Sequence, residues 1–387
     1  MSVTAPKGFV ASGVACGVKP SGATDLALVA TDDGRAVPAA GVFTSNLATA
    51  APVTVSRRHL AASGGRAAAV VLNSGNANAA TGAAGESHSQ QTCQAVADGL
   101  GCAVAEVLVC STGLIGIPLP VEAVLSGVPR LVAARVGDGG DAAARAIMTT
   151  DTHDKQTVRT AGAVTIGGMA KGAAMLAPNM ATMLAVLTTD AEVSAADLRA
   201  HLAVAVRDSF NAMSVDGCTS TNDTVIVLAN GRAGVPDAAS FGAALAVACA
   251  DLAGQMTGDA EGATKVVTVR VTGAVDDAEA AQAARKVAQS SLVKCSFYGE
   301  DPYWGRVVSE LGSSGAHFDL GRVSVAYGGV TVAREGFACA HDAASVKAHL
   351  HERHVEVSAD LGLGSGTAVI LTNDLTHAYI DENMRTS

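Results

Sequence analysis

The chain reads as a mixed α/β fold of the α+β kind, and three features predict it. Short runs rich in Val, Ile and Leu are each stopped by Gly, Asn or Thr clusters, as buried strands are. Segments with apolar residues every three or four positions fall between those runs and read as helices. A Gly328-Gly329 pair joins two alternating runs, the mark of a two-residue hairpin, so part of the sheet is antiparallel. The 387 residues are 49% hydrophobic but only 3% aromatic, so the core must be built from Ala, Val and Leu in one large domain or two.

In chain order, "AAAVVLNSGNANAATG" is a strand ending near Leu72 and then an Asn/Gly loop. "EVLVCSTGLIG" is a strand ending near Cys110, then a Ser-Thr-Gly turn, and "AGAVTIGGMAKG" is a strand stopped by glycines. A strand follows Thr182 and runs to Thr188. In "SAADLRAHLAVAVRDSF" Ser194 and Asp197 form a capping pattern, and Leu198, Leu202, Val206 and Phe210 recur on one helical face. "DTVIVLANG" and "KVVTVRVTG" are strands, and "DDAEAAQAARKVAQSSLV" is an amphipathic helix. The hairpin "RVSVAYGGVTVAREG", the helix "ASVKAHLHERH" and the strand "GTAVILTND" finish the chain. Two domains are expected, 1–275 and a smaller α/β domain over 276–387.

The bulk chemistry narrows the function. A net charge of −10 argues against a nucleic-acid partner. No apolar run reaches the ~18 residues of a spanning helix, and the N-terminus lacks a signal-peptide core, so a soluble, cytoplasmic protein without a membrane partner is expected. The eight cysteines form no CxxC pair and read as apolar fillers. His349, His351 and His354 lack a completing Cys or carboxylate cluster, so no metal is expected. "GLGSG" and "GGMAKG" lack the spacing of a phosphate loop, and no G-x-S-x-G elbow is present.

Thr182 is different because of its context. On residue type alone it is an ordinary strand threonine, but it stands at the mouth of an apolar run behind Pro178, Asn179 and the small Ala181. A threonine hydroxyl needs an adjacent base to act as a nucleophile. Cutting the Ala181–Thr182 bond gives Thr182 its own α-amine, whose pKa of about 7.7–8.0 leaves a useful neutral fraction at pH 7. Attack on a carbonyl then needs donors for the oxyanion, and Thr112-Gly113 after a strand is the candidate pair.

The stretch "KGAAMLAPNMATML" resembles the self-cleavage signature of the ornithine acetyltransferase family, the bifunctional glutamate N-acetyltransferases. "PKGFVASGVACGVKPSG", "AAGVFTSN", "LNSGNANAATG", "STGLIG", "AIMTTDT", "STNDTVIVLANG", "AEGATK", "SLVKCSFYGEDPYWGR" and "THAYIDEN" match that family in the same order over nearly the whole chain. The resemblance implies a four-layer αββα sandwich similar to N-terminal-nucleophile hydrolases, with a smaller α/β domain. It implies cleavage into an α chain, 1–181, and a β chain, 182–387, which stay together in an α2β2 heterotetramer. It implies transfer of acetyl from N2-acetylornithine to glutamate in arginine biosynthesis with no cofactor, and leaves acetyl-CoA open as a second donor. By resemblance Thr182 is the nucleophile and Thr112 and Gly113 the oxyanion pair. Thr149, Lys171, Glu261, Asn383 and Thr386 are implied substrate contacts, with Thr150 or Thr152 as rivals to Thr149 and Ser387 as rival to Thr386. Two other readings use the same residues: an amidase, aminopeptidase or secondary-metabolism relative with the same nucleophile, and a binding protein in which Thr182 is only core.

Overall fold

A computed structural model describes residues 2–177 and 183–384. The calls on Pro178, Asn179, Ala181, Thr182, Thr386 and Ser387 lie outside the described residues. The chain forms two compact units, one of residues 1–211 and 218–256, the other of residues 212–217 and 257–387.

The first unit begins with β1 (Phe9–Val14), β2 (Leu26–Thr31), β3 (Val37–Phe43), α1 (Ala51–Ala62), β4 (Arg66–Ala67) and β5 (Ala69–Asn76). It continues with α2 (Gly82–Leu100), β6 (Val107–Leu114), α3 (Val121–Ala133), α4 (Gly140–Ala146), β7 (Lys155–Ala161) and β8 (Val164–Lys171). After the undescribed segment come β9 (Leu184–Ala191), α5 (Ala195–Arg207), β10 (Thr224–Gly234) and α6 (Ala238–Gly258). One sheet has the order β1-β2-β5-β6 and a second the order β4-β3-β10-β9-β8-β7. β5 pairs with β6 and β9 with β10 in parallel, while the other pairs in these two sheets are antiparallel.

Period-two alternation makes the layers. In the first sheet, Leu26, Leu28, Ala69, Val71, Val107 and Val109 point to one face, where they meet Val55 of α1, Val96 of α2 and Val128 and Leu131 of α3. Their neighbours Ala27, Val29, Val70, Leu72 and Leu108 point the other way. These meet Met169, Leu184, Val186, Ile226 and Leu228 of the second sheet, with α4 tucked into the same core. α5 lies on β3, and α6 covers the second sheet, where Leu252 comes up against Gly168. The unit is therefore helices, sheet, sheet, helices, the four layers expected.

The helix of the Ser194 capping pattern is present, with Ser194 Oγ accepting from the Asp197 N–H at 3.1 Å. α6 is 21 residues long and apolar enough to cross a membrane by length and composition. It is nevertheless a layer of this unit: Phe241, Leu245, Leu252 and Met256 are buried, and Asp251 accepts from Thr157 Oγ1 at 2.6 Å and Arg159 at 2.7 Å.

The second unit contains β11 (Val266–Ala274), α7 (Asp277–Gln289), α8 (Ser291–Tyr298), α9 (Trp304–Gly312), β12 (Ser324–Tyr327) and β13 (Val330–Arg334). β14 (Phe337–Ala338), α10 (Ala343–His351), β15 (His354–Asp360), β16 (Gly366–Asn373) and α11 (His377–Asn383) complete it. Its sheet has the order β14-β13-β12-β15-β11-β16 over a core that includes Val267, Val287, Phe297, Val325 and Val357. The expected boundary at 275/276 falls inside this unit, because β11 pairs in parallel with β15 and antiparallel with β16. The amphipathic helix expected over 276–293 is broken at Ser290, whose hydroxyl caps α8. Gly328 and Gly329 have φ of +55° and +80°, as the hairpin turn requires. A Cβ on Gly328 would stand 2.5 Å from the ring of His349. His349 Nε2 takes the Glu356 N–H at 2.8 Å, and His351 lies 3.2 Å from Glu300, so both histidines brace this unit.

A side chain just ahead of β10 ties the two sheets of the first unit together. Asn222 Nδ2 donates to the Ala77 carbonyl at 2.6 Å and to the Ser111 carbonyl at 2.9 Å. Asn222→Ala would leave two buried carbonyls without that donor. It is expected to lower stability by about 1–3 kcal/mol, measured by urea unfolding followed by circular dichroism.

Candidate active site

The candidate residues fall into two groups, one in each unit. In the first unit the structure corrects one expectation: Thr112 and Gly113 are not in a turn beyond the strand. β6 runs on to Leu114, and its register against β5 becomes irregular at Gly75 and Asn76. Gly113 has φ of +129°, and a Cβ there would lie 2.3 Å from the Gly75 carbonyl carbon. Only glycine fits this close backbone approach. Such irregularities turn a strand's groups away from its ladder, which is how an N–H is freed to face a developing charge.

Thr112 is 4% exposed, and its Oγ lies 3.3 Å from Lys171 Nζ. The ammonium can only donate, so Thr112 Oγ accepts from it and its own hydroxyl proton is left to point elsewhere. Lys171 ends β8, where it pairs with Leu184 at the start of β9. That pairing brings a cation, a threonine hydroxyl and the strand that Thr182 leads into to one sheet end.

A buried carboxylate holds this sheet end in place. Asp151 Oδ1 accepts from Lys155 Nζ at 2.7 Å and from the Gly172 N–H at 2.7 Å, and Oδ2 accepts from the Thr149 N–H at 2.9 Å. Lys171 Nζ stands 3.9 Å from Oδ2. Burial works against the charge on Asp151, but the ammonium groups of Lys171 and Lys155 and the donated N–H bonds outweigh it and hold the carboxyl well below the usual range. Thr149, half-buried, is thereby fastened beside Lys171, whereas Thr150 and Thr152 are exposed. Nearby, the Asp25 carboxylate accepts from the backbone N–H groups of Cys16, Gly17, Val18 and Lys19 at 2.6–3.0 Å. Burial opposes its charge too, yet those bonds keep its carboxyl low. Lys19 Nζ reaches the Met148 carbonyl at 2.7 Å, and burial, with Lys171 adding repulsion, pulls its pKa down.

Asp223 lies on the other side of β9. Its Oδ1 accepts from the Met183 N–H at 3.0 Å. It is fully buried, and burial pushes its carboxyl well above the ordinary range.

In the second unit, Glu261 is 7% exposed and its Oε2 accepts from Asn383 Nδ2 at 2.8 Å. The contact depends on Gly262, with φ of +64°, where a Cβ would lie 2.3 Å from the Tyr379 nitrogen at the start of α11. Thr376 caps α11 by accepting from the Tyr379 N–H at 3.2 Å, and it donates to the Gly262 carbonyl at 2.7 Å. Burial and the charge of Glu261 push the neighbouring Glu382 carboxyl up. Carboxylates crowded in this way favour an added cation.

The structure thus brings Thr112, Gly113, Thr149 and Lys171 together in the first unit, and Glu261 with Asn383 in the second. A sequence model of the ArgJ family matches residues 10–386. The chain belongs to the ArgJ family. It is 47% identical over 384 residues to the arginine biosynthesis bifunctional protein ArgJ of Thermobifida fusca and to that of Streptomyces coelicolor, covering 99% of both chains each time. Among solved structures, an ornithine acetyltransferase from Mycobacterium tuberculosis complexed with ornithine is 46% identical over 46% of this chain and 94% of its own, with a TM-score of 0.42.

Reading the sequence alone missed Asp151, Lys155, Asn222 and Asp223 as parts of this arrangement. Asp151 stood inside "MTTDT", with threonines drawing attention to either side. Asp223 carried a signal: a carboxylate directly before the apolar run "TVIVLAN" must be buried or capped.

Because the folded Asp151 carboxyl is held far below its unfolded value of ~3.9, its stabilising effect is complete at neutral pH and is withdrawn as pH falls below about 4. Asp151→Asn leaves two buried ammonium groups without their carboxylate. It is expected to cost about 3–5 kcal/mol at pH 7, and to flatten the loss of stability between about pH 4 and pH 2. Urea midpoints measured across that range for both proteins check this.

Proposed function

We propose that the chain is a self-cleaving acetyltransferase of arginine biosynthesis, which moves acetyl from N2-acetylornithine to glutamate through an ester on Thr182. The single observation that carries the reading is the meeting of Lys171, Thr112 and Gly113 at the sheet end where β9 begins. It supplies a cation for a carboxylate and oxyanion donors beside the strand that follows Thr182. Membership of the ArgJ family and the names of full-length relatives support the same reading.

The α-amine of Thr182 takes the Oγ proton, and Oγ attacks the acetyl carbonyl. The Thr112 hydroxyl and the Gly113 N–H stabilise the tetrahedral oxyanion. Ornithine leaves with the proton, and an acetyl ester stays on Thr182. Glutamate's amine then attacks the ester and departs as N-acetylglutamate. Lys171 holds the α-carboxylate that both substrates carry. Glu261, positioned by Asn383, meets the δ-ammonium of ornithine, and Thr149 and Thr386 complete the contacts. The acidic surroundings of Glu261 fit that cationic group. The scheme as written calls for no cofactor, and acetyl-CoA enters only as an alternative acetyl donor. Water must be kept from the ester while it waits for an amine. The α and β chains are proposed to remain paired as an α2β2 assembly in the cytoplasm.

Denaturing mass spectrometry is expected to show two fragments meeting at Ala181/Thr182, and Thr182→Ala a single chain with transfer abolished. Initial rates with N2-acetylornithine and glutamate are expected to give parallel double-reciprocal lines. Intersecting lines, or free acetate released as fast as N-acetylglutamate, would remove the transferase reading.

A further inference from the structure

Self-cleavage poses a problem that acetyl transfer does not. During transfer, Thr182 has its own α-amine to accept the Oγ proton. Before the chain is cut, that nitrogen is a peptide amide and is not a base. Another group has to take the proton in the first step.

Asp223 has the chemistry and the place. It stands directly before β10, and β10 runs parallel to β9 with Thr224 opposite Leu184. Its Oδ1 accepts the Met183 N–H at 3.0 Å, and that N–H belongs to the peptide bond joining Met183 to Thr182. The second oxygen, Oδ2, is buried and has no hydrogen-bond partner among the described residues. Leaving a buried carboxyl oxygen unpaired costs free energy, and the fold keeps it. The hydroxyls of Ser220 and Thr44 are close enough to favour its charged form; the Thr44 hydroxyl donates to the Ser220 carbonyl at 2.7 Å, and Ser220 Oγ accepts the Asn222 N–H at 3.0 Å. Among the described residues, the charged side chain whose field is felt at Asp223 is Lys171 on β8, and the Met183 N–H is presented from just ahead of β9.

We propose that Asp223 is the general base of self-cleavage, accepting the Thr182 Oγ proton on Oδ2. Oγ then bonds to the Ala181 carbonyl carbon, and the oxyanion is held as in acetyl transfer. The carbon–nitrogen bond to Thr182 breaks, and Asp223 returns the proton to the departing nitrogen. An ester between Ala181 and Thr182 Oγ remains, and water hydrolyses it to the Ala181 carboxylate and the free Thr182 hydroxyl. The raised pKa of Asp223 suits this task, because a base works best when its pKa approaches the working pH. The proposal rests on the self-cleaving reading of the chain.

The test follows cleavage of full-length chain, made by cell-free synthesis, with denaturing mass spectrometry from pH 5 to pH 9. Wild type is expected to be cut faster as pH rises through the Asp223 pKa, then to level off. Asp223→Asn keeps an acceptor for the Met183 N–H but is expected to be cut about 100-fold more slowly or less, without that inflection. Asp223→Glu, which restores a carboxylate, is expected to recover part of the rate with a shifted inflection. Cutting of Asp223→Asn within about threefold of wild type overturns the proposal. If Asp223→Asn melts well below wild type, Asp223→Glu decides: a folded Glu variant that is not cut overturns it too. A wild-type chain that transfers acetyl while remaining one polypeptide instead sinks the self-cleaving reading itself, a separate outcome.

Discussion

The Asp151 carboxylate is the interaction on which the first unit's site depends. It holds Lys155 at the start of β7, the N–H just beyond β8 and the N–H of Thr149 in one buried knot, and it balances the charge of Lys171. Without it, two buried ammonium groups would lose this anion in a low-dielectric interior, and they would be driven toward water. Lys171 would then leave Thr112, and Thr149 would lose its anchor.

Charge in this unit is arranged as a graded series. Asp25, wrapped by four N–H groups, and Asp151, flanked by two ammonium groups, are kept ionised. Asp223, with one backbone donor and an unpaired oxygen, is pushed toward the neutral form. Three aspartates of this unit thus differ in their donors, their neighbouring cations and the depth of their burial. That difference separates carboxylates that support a structure from one able to exchange a proton.

Glycine does comparable work in both units. At Gly113 and at Gly262 a backbone segment lies where a Cβ would be, so two pieces of chain close on each other without an intervening side chain. One contact shapes the strand end carrying Thr112, and the other seats α11 so that Asn383 meets Glu261. A composition with 42 glycines and few aromatics suits a protein that packs backbone against backbone at such points.

Much of this was legible in the chain itself. The alternation of β11, the Ser194 cap and the Gly328-Gly329 hairpin could be read from pattern, because propensity, turn chemistry and glycine tolerance act over a few neighbouring residues. Thr112 and Gly113 were candidates from their place after a strand, while Lys171, Glu261 and Asn383 were implied only by the resemblance to a family. Tertiary structure decided the rest. It moved the unit boundary to precede β11, because strand pairing with residues about ninety positions away fixes where that strand belongs. It placed Thr112 and Gly113 inside an irregular strand rather than a turn, because the shape of β6 is set by β5. It also gave Asp151 and Asp223 their opposite proton affinities, since these come from donors, cations and burial contributed by distant segments, which no local window contains.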